Sequence, residues 1–254
     1  MLSVTEPGRE GDIIAAMAQT ISFGINSAAR HMALALVYDL EGFSKFVNQP
    51  DVDLFVPRFF NHVSSAIATV IYGGFPYWLP EEEREEWGEF REPVHEKYLG
   101  DGALYIWTFS ANDPLLLRPT LDLCNRLRLL ARHFATVAQT AYDLMPIVEL
   151  PRRIRFGLAF GEVYELERTG VQVSKEYAGV CINLASRLQG YCPQVTFAAS
   201  ARLIPGDTAD LQNHGYVRVI APNIKGFGSQ AVILDLQQYQ SLDAKTRTEY
   251  FAEE

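Results

Sequence analysis

The segment Leu34–Ser44, LALVYDLEGFS, runs from an apolar strand into a turn and places a carboxylate, Asp39, at the junction. Leu34 to Tyr38 form the continuous apolar run of a buried strand. Gly42 and Phe43 follow at once, and a helical pattern opens after them. A strand that ends in Asp, a Gly-containing turn and a helix start bring two chemistries together. One is a hard oxygen ligand for a divalent cation. The other is a set of backbone N–H groups that can face phosphates. An isolated Asp-x-x-Gly can equally be a helix cap. The balance shifts with a second carboxylate, Asp101, in the turn Leu99-Gly100-Asp101-Gly102 between two further strand-like runs.

Composition limits the classes of partner. The chain has 254 residues, 48% of them hydrophobic, and a net charge of −9. That suits one large domain with extensions, and it argues against a nucleic-acid surface. Cys124, Cys181 and Cys192 show no paired ligand spacing and read as reduced thiols. No apolar run reads as a transmembrane segment, and the amino terminus MLSVTEPGREGD is too polar for a secretory signal. A cytoplasmic protein without stable membrane contact is expected.

Along the chain, residues 1–30 read as a helical extension, with a weak helix over Asp12–Ala29. The domain proper spans 31–237, and 238–254 form a polar tail, helical or frayed. The first strand is expected at Met32–Tyr38. A helix is expected at Val52–Tyr72, with Pro57 near its first turn. Gly73–Pro93 is irregular and acidic, and it lies just before the Asp101 hairpin, where it could border the active site. Val94–Leu99 and Ala103–Thr108 pair around the Gly-Asp-Gly turn. Leu123, Leu127, Leu130, Phe134 and Val137 form one core stripe of a long helix, and Arg126, Arg128 and Arg132 fall off it into solvent. Arg153–Phe160 is a strand, with a turn at Gly161 and a return over Val163–Leu166. Gly179–Gln189 is a helix, Val195–Ala198 a short strand, and Tyr216–Ile220 with Ala231–Leu236 a last hairpin around Lys225. This order predicts an α+β fold, a mainly antiparallel sheet with packed helices.

Two aspartates on separate strand ends suit Mg²⁺ or Mn²⁺, which complete their shells with water and phosphate. Two such ions about 3.5–4 Å apart are the usual arrangement for in-line phosphoryl chemistry. No Walker A loop, His-Glu-x-x-His or Gly-x-Ser-x-Gly is present. Asn183 and Arg187 are four apart and share a helix face. Lys225 sits in the turn Ile224-Lys225-Gly226-Phe227-Gly228.

These pieces together resemble the catalytic domain of the class III nucleotidyl cyclases, from about Met32 to Leu236. YDLEGFS is similar to the first metal motif, KYLGDG to the second, EYAGVCINLASR to the segment with the Asn/Arg pair, IKGFG to the phosphate-lysine turn, and Arg155-Phe156-Gly157 to the Arg-x-Gly strand. The resemblance implies a ferredoxin-like cyclase fold and a role for each matched residue. Asp39 and Asp101, with the Leu40 carbonyl, hold two divalent cations. Gly42 and Phe43 cradle the triphosphate. Asn183 orients the ribose, and Arg187 meets charge on the α-phosphate. Lys225 and Arg155 bind the β- and γ-phosphates. Lys97 and Glu176 read the base. It also implies a homodimer with each site at the interface. The metal aspartates come from one subunit, and Asn183, Arg187, Lys97 and Glu176 from the other.

Lys97 as donor and Glu176 as acceptor suit adenine, uracil, or cytosine in another pose. Tyr98 stands where the family has a smaller residue, and an added ring near the base favours a pyrimidine. The compact form is similar to the bacterial pyrimidine cyclases of phage-defence (Pycsar) systems, whose product acts on a separate cyclic-nucleotide-sensing effector. The expected substrate is UTP, giving cUMP, then CTP, then ATP. The competing class is a non-catalytic nucleotide-binding dimer module.

Overall fold

The computed structural model describes residues 25–110, 117–143, 149–168, 174–204 and 208–252. Strand β1 is Ile25–Glu41 and leads into helix α1, Phe43–Val47. Helix α2 is Val56–Tyr72, β2 is His95–Tyr98, β3 is Gly102–Phe109 and α3 is Leu117–Tyr142. Then come β4 (Arg153–Arg168), β5 (Ser174–Gly179), α4 (Val180–Gln189), β6 (Phe197–Ser200) and α5 (Thr208–Asn213). The chain continues through β7 (Tyr216–Ile224), β8 (Gly228–Asp235), α6 (Leu236–Ser241) and α7 (Ala244–Tyr250). The eight strands run in the order β2-β3-β1-β4-β6-β8-β7, with β5 pairing β4. The β1–β3, β2–β3, β6–β8 and β7–β8 pairs are antiparallel, and β4–β6 is parallel. The architecture is the expected α+β.

The chain divides into two compact units. The larger comprises residues 31–163 and 179–254. Its core lies on one sheet face. Leu34, Leu36, Tyr38 and Leu40 of β1 meet Phe59, Val63 and Ile67 of α2 and Leu127 and Phe134 of α3 there. Strand alternation sends Ala33, Ala35, Val37 and Asp39 to the opposite face. That face carries α4. A Cβ on Gly157 would meet the Ala185 carbonyl at 2.0 Å, so the helix lies directly on β4 at that point. The smaller unit comprises residues 1–30 and 164–178. Within it Glu165 accepts from the Tyr177 hydroxyl at 2.8 Å and pairs with Lys175 at 2.8 Å.

Several expectations change. Residues 25–29 are strand rather than helix, because β1 continues amino-terminally; the rest of the expected helix lies outside the described residues. Gly161 makes no turn. β4 runs straight through it, and the missing side chain leaves room for Cys181 of α4. The core stripe of α3 is wholly buried, as its spacing predicts. Of its arginines Arg126 and Arg128 are half-buried, and Arg132 is exposed as expected but paired. Arg126 donates to the Gly88 carbonyl at 2.6 Å. Arg128 donates to the Gly215 carbonyl at 2.8 Å, and Arg132 binds buried Asp235 at 2.6 Å. The tail is helical but not frayed: Phe251 is buried, and Ala252 exchanges backbone hydrogen bonds with Ile220.

The acidic segment after Gly73 packs away from the Asp101 turn. Trp78, Leu79 and Trp87 are buried, and the Arg91 carbonyl accepts from Trp107 Nε1 at 2.8 Å. Trp107 lies five residues along β3 from Gly102, about 16 Å at strand rise. Among the described residues one stretch, Val52–Tyr72, is long and apolar enough for a membrane span, which the sequence reading did not register. It contains α2, whose Phe59, Val63, Ala66, Ile67, Val70 and Ile71 are buried in the core.

Candidate active site

The β1–β3 register sets Asp39 opposite Gly102. Gly102 is required there: a Cβ would lie 1.8 Å from the Tyr38 carbonyl oxygen. The turn closes with Leu99 N–H donating to the Gly102 carbonyl at 2.9 Å and Leu40 N–H to the Asp101 carbonyl at 3.0 Å. Asp39 and Asp101 are thereby held side by side. Burial raises the Asp101 carboxyl above the ordinary aspartate range, and the charge of Asp39 raises it further. A hydrogen bond between the two carboxyls acts in the same direction, while the Asp101 backbone and Arg155 oppose it.

Arg155 enters from β4 and donates to Asp39 Oδ2 at 2.6 Å. Its Nε is buried without a hydrogen-bond partner, a donor that an anion's oxygen would satisfy. The cluster thus has two crowded carboxylates against a single guanidinium. This donor set fits a hard cation, because oxygen ligands that repel one another are relieved by a divalent ion. Among the described residues no group of three or more His, Cys, Asp or Glu gathers, so a zinc-type nitrogen and sulfur site is not built here.

Beyond Asp39 the chain turns at Gly42, at φ 89° in the left-handed region, and Gly42 O accepts from the Lys45 and Phe46 N–H groups. Phe43 packs on Phe46 and Phe60, which fixes the turn on the core. Gly42 lines a pocket of about 410 Å³ with Glu41, Lys45, Glu149, Arg152 and Arg153, and Arg153 is paired with Glu41 at 3.0 Å. The sequence reading missed these three cations. Lys45 lies three residues past Gly42, on the helix that the turn starts; Arg152 directly precedes β4 and Arg153 opens it. Both positions were readable once the turn was taken as an anion cradle.

Arg187 and Lys225 meet elsewhere. Both are exposed, and together they line a pocket of about 350 Å³ with Tyr191, Asn223, Glu249 and Tyr250. None of its lining residues belongs to the carboxylate cluster. Asn183 is exposed one turn before Arg187 on α4, while Cys181, Leu184, Ala185 and Leu188 anchor that helix.

Strand parity separates Lys97 from Tyr98. Lys97 pairs with Leu104, which pairs with Val37, and so shares the sheet face of Asp39. Tyr98 pairs with Ala103 and Tyr38 and points to the helix face. Its ring stands edge-on to Phe60 at 6.3 Å, and its hydroxyl lies 3.3 Å from that of Ser64. The expectation that Tyr98 narrows a base pocket beside Lys97 is therefore corrected: adjacent residues on a strand face opposite ways. Glu176 lies in the smaller unit, on β5.

No family model and no curated protein matches the sequence. Solved structures match in fold. The adenylyl cyclase CyaB from P. aeruginosa shares 14% identity at a TM-score of 0.56, over 82% of this chain and 95% of that one. The guanylyl cyclase Cya2 shares 19% at a TM-score of 0.54, over 82% and 92%. A class III adenylyl cyclase-like ATP-binding protein from P. aeruginosa shares 13% at a TM-score of 0.50, over 76% of this chain and 38% of that one. At these identities the likeness is one of fold, and the fold is that of the class III cyclase domains.

Proposed function

We propose that this chain is a nucleotidyl cyclase that converts a nucleoside triphosphate to its 3′,5′-cyclic monophosphate and pyrophosphate. The observation that carries the reading is the side-by-side pair Asp39 and Asp101, crowded enough to raise the Asp101 carboxyl, with Arg155 as counter-ion. On a fold shared with adenylyl and guanylyl cyclases, that pair sits at adjacent strand ends.

Asp39, Asp101 and the Leu40 carbonyl would hold two divalent cations, Mg²⁺ or Mn²⁺. When bound, these ions supply a lowered pKa for the ribose 3′-hydroxyl and neutralisation of the triphosphate. The residues of the chain do the rest. Gly42 and Phe43 cradle the triphosphate through backbone N–H groups, beside the pocket where Lys45, Arg152 and Arg153 face Glu41 and Glu149. Arg155 and Lys225 hold its β- and γ-phosphates. Asn183 orients the ribose so that the 3′-oxygen faces the α-phosphorus. Arg187 meets the negative charge that develops there. The 3′-oxygen loses its proton and bonds to the α-phosphorus as the bond to the bridging oxygen breaks, and pyrophosphate leaves with that electron pair.

Arg187 and Lys225 line a pocket separate from the carboxylates, so a symmetric homodimer would bring one copy's aspartates to the other's cations. Lys97 as donor and Glu176 as acceptor match the O4 and N3–H of uracil. UTP is the substrate put first, CTP and ATP next. That order rests on the likeness to pyrimidine cyclases, since the Tyr98 ring no longer supports it. A cUMP product would act on a separate effector in antiviral defence.

The test is incubation of the purified protein with each of the four NTPs and Mn²⁺, followed by separation of the products. Cyclic UMP as the main product is the expected result, and a cAMP-only result ends the pyrimidine order. No cyclic product from any NTP, with nucleotide binding retained, selects the second reading, a nucleotide-binding dimer module. The cyclase-like ATP-binding protein of the same fold favours that alternative.

A further inference from the structure

The pocket of Arg187 and Lys225 has a wall that the five motifs do not include. Glu249 and Tyr250, at the end of α7, line it from the carboxyl-terminal tail. The tail is held there by several contacts. Asp243 caps α7 by accepting from the Thr246 N–H at 2.9 Å and its hydroxyl at 2.7 Å. Phe251 is buried, 5.9 Å from both Tyr191 and Tyr239. Ala252 N–H donates to Ile220 O at 2.8 Å, and Ala252 O accepts from Ile220 N–H at 2.9 Å. The Tyr250 ring stands edge-on to Tyr191 at 5.7 Å. Glu249 lines the pocket as an exposed side chain carried on this anchored segment.

The charge pattern is unusual for a site that is to hold a polyanion. Arg187 and Lys225 are exposed, and among the described residues neither takes a hydrogen-bond or ion-pair partner. They are left to a ligand. Glu249 is a carboxylate in the same pocket, and it opposes any phosphate that the two cations attract. An acidic side chain in that place lowers affinity for the whole series of polyphosphates.

We propose that Glu249 is a release element: it limits how tightly the Arg187–Lys225 pocket holds pyrophosphate and other linear polyphosphates. The inference deepens the reading given under Proposed function and uses the same pocket. Glu249 acts through repulsion and bonds to no reacting atom. Removing its charge strengthens polyphosphate binding; keeping the charge at a shorter reach does not.

The experiment is calorimetric titration of the full chain with inorganic tripolyphosphate and with pyrophosphate, at low salt, for wild type, E249Q, E249D, R187A and K225A. E249Q binds both ligands roughly three- to tenfold more tightly, and the gain shrinks as salt is raised. E249D stays near wild type, and R187A and K225A lose most of the binding. In turnover assays E249Q makes added pyrophosphate a stronger inhibitor by a similar factor. Unchanged or weaker binding by E249Q with a wild-type melting temperature overturns the proposal, and so does a wild-type protein that binds neither ligand. The two readings fail separately. Tighter binding by E249Q in a protein that cyclises no NTP removes the cyclase and leaves the release element. A cyclase whose pyrophosphate affinity ignores Glu249 does the reverse.

Discussion

Replacing Asp39 by Asn separates the chemistry of the carboxylate pair from the stability of the fold. Asp39 and Arg155 are about one-fifth exposed and 2.6 Å apart. Losing that charge-assisted bond costs about 1.5–3 kcal/mol. Two effects offset it. The Asn oxygen still accepts from Arg155, and the repulsion and shared hydrogen bond that raise the Asp101 carboxyl disappear. The net change is about 1 kcal/mol or less. For a domain of this size that moves the melting temperature by about 2–4 °C. Turnover responds on another scale. Half of the carboxylate charge that would hold the cations is gone, and metal assistance is worth several kcal/mol, so kcat/KM falls by about a thousandfold or more. Three readouts check this: thermal melting without added metal, cyclic nucleotide formation with Mn²⁺, and an NMR titration of Asp101, whose carboxyl moves back down toward the ordinary aspartate value. A D39N protein that keeps turnover within tenfold of wild type refutes the metal assignment. One that melts more than about 10 °C lower refutes the claim that Asp39 is there for chemistry rather than folding.

Four further outcomes follow from the same geometry. Mixing D39N with R187A, each inactive alone, restores activity to about a quarter of wild type under statistical exchange, because half of the dimers carry one intact site of two; no recovery in the mixed assay means that each site is complete in one subunit. Gly102→Ala drives a methyl into the Tyr38 carbonyl, so both stability, by about 1–3 kcal/mol in denaturant, and turnover fall together, unlike D39N. Asp235→Ala leaves Arg128 and Arg132 facing a buried gap and removes the cap on α6, a loss of about 3–5 kcal/mol measured by urea unfolding with the kcat of the folded fraction preserved. The Asp243 carboxyl lies below the ordinary aspartate range because the Thr246 N–H and hydroxyl bond its charged form. Its contribution is therefore present above that range and is lost as pH falls through the lowered value, so tyrosine fluorescence reports release of α7 below about pH 4, and D243N flattens that step.

What the sequence made legible was local or carried by a short motif. The strand into Asp39, the Gly-Asp-Gly turn, the five-residue stripe of α3 and the Lys225 turn all depend on neighbours within about two helical turns. The partners of the three α3 arginines, Gly88, Gly215 and Asp235, lie tens of residues away, so periodicity, which reports only which face is apolar, could not show that Arg126 and Arg128 are half-buried or that exposed Arg132 is paired. The tail was underread for the same reason. Its polar composition hides two buried anchors, Leu242 and Phe251, whose partners are strand β7 and the aromatic group around Tyr191. At Gly161 a glycine made room for a crossing helix and was taken for a turn, a distinction that only the presence of Cys181 settles.

The misreading of Tyr98 has more consequence, because it bears on specificity. A motif aligned as a string treats Lys97 and Tyr98 as neighbours, but a strand separates them by the thickness of the sheet. Lys97 is on the side of Asp39, and Tyr98 is packed on Phe60 of α2. The bulk that seemed to exclude a purine stands half-exposed on the helix side of β2, edge-on to Phe60 and away from Lys97. Selection of the base must therefore come from residues with Lys97's parity. On β2 that leaves His95 alone besides Lys97, because Glu96, like Tyr98, points to the helix side and accepts from Tyr105 at 3.0 Å. A substitution such as Tyr98→Thr then changes the melting temperature little and leaves the ratio of kcat/KM among the four NTPs unchanged. A shift in that ratio would return Tyr98 to the base pocket and set the β2–β3 register against the chemistry.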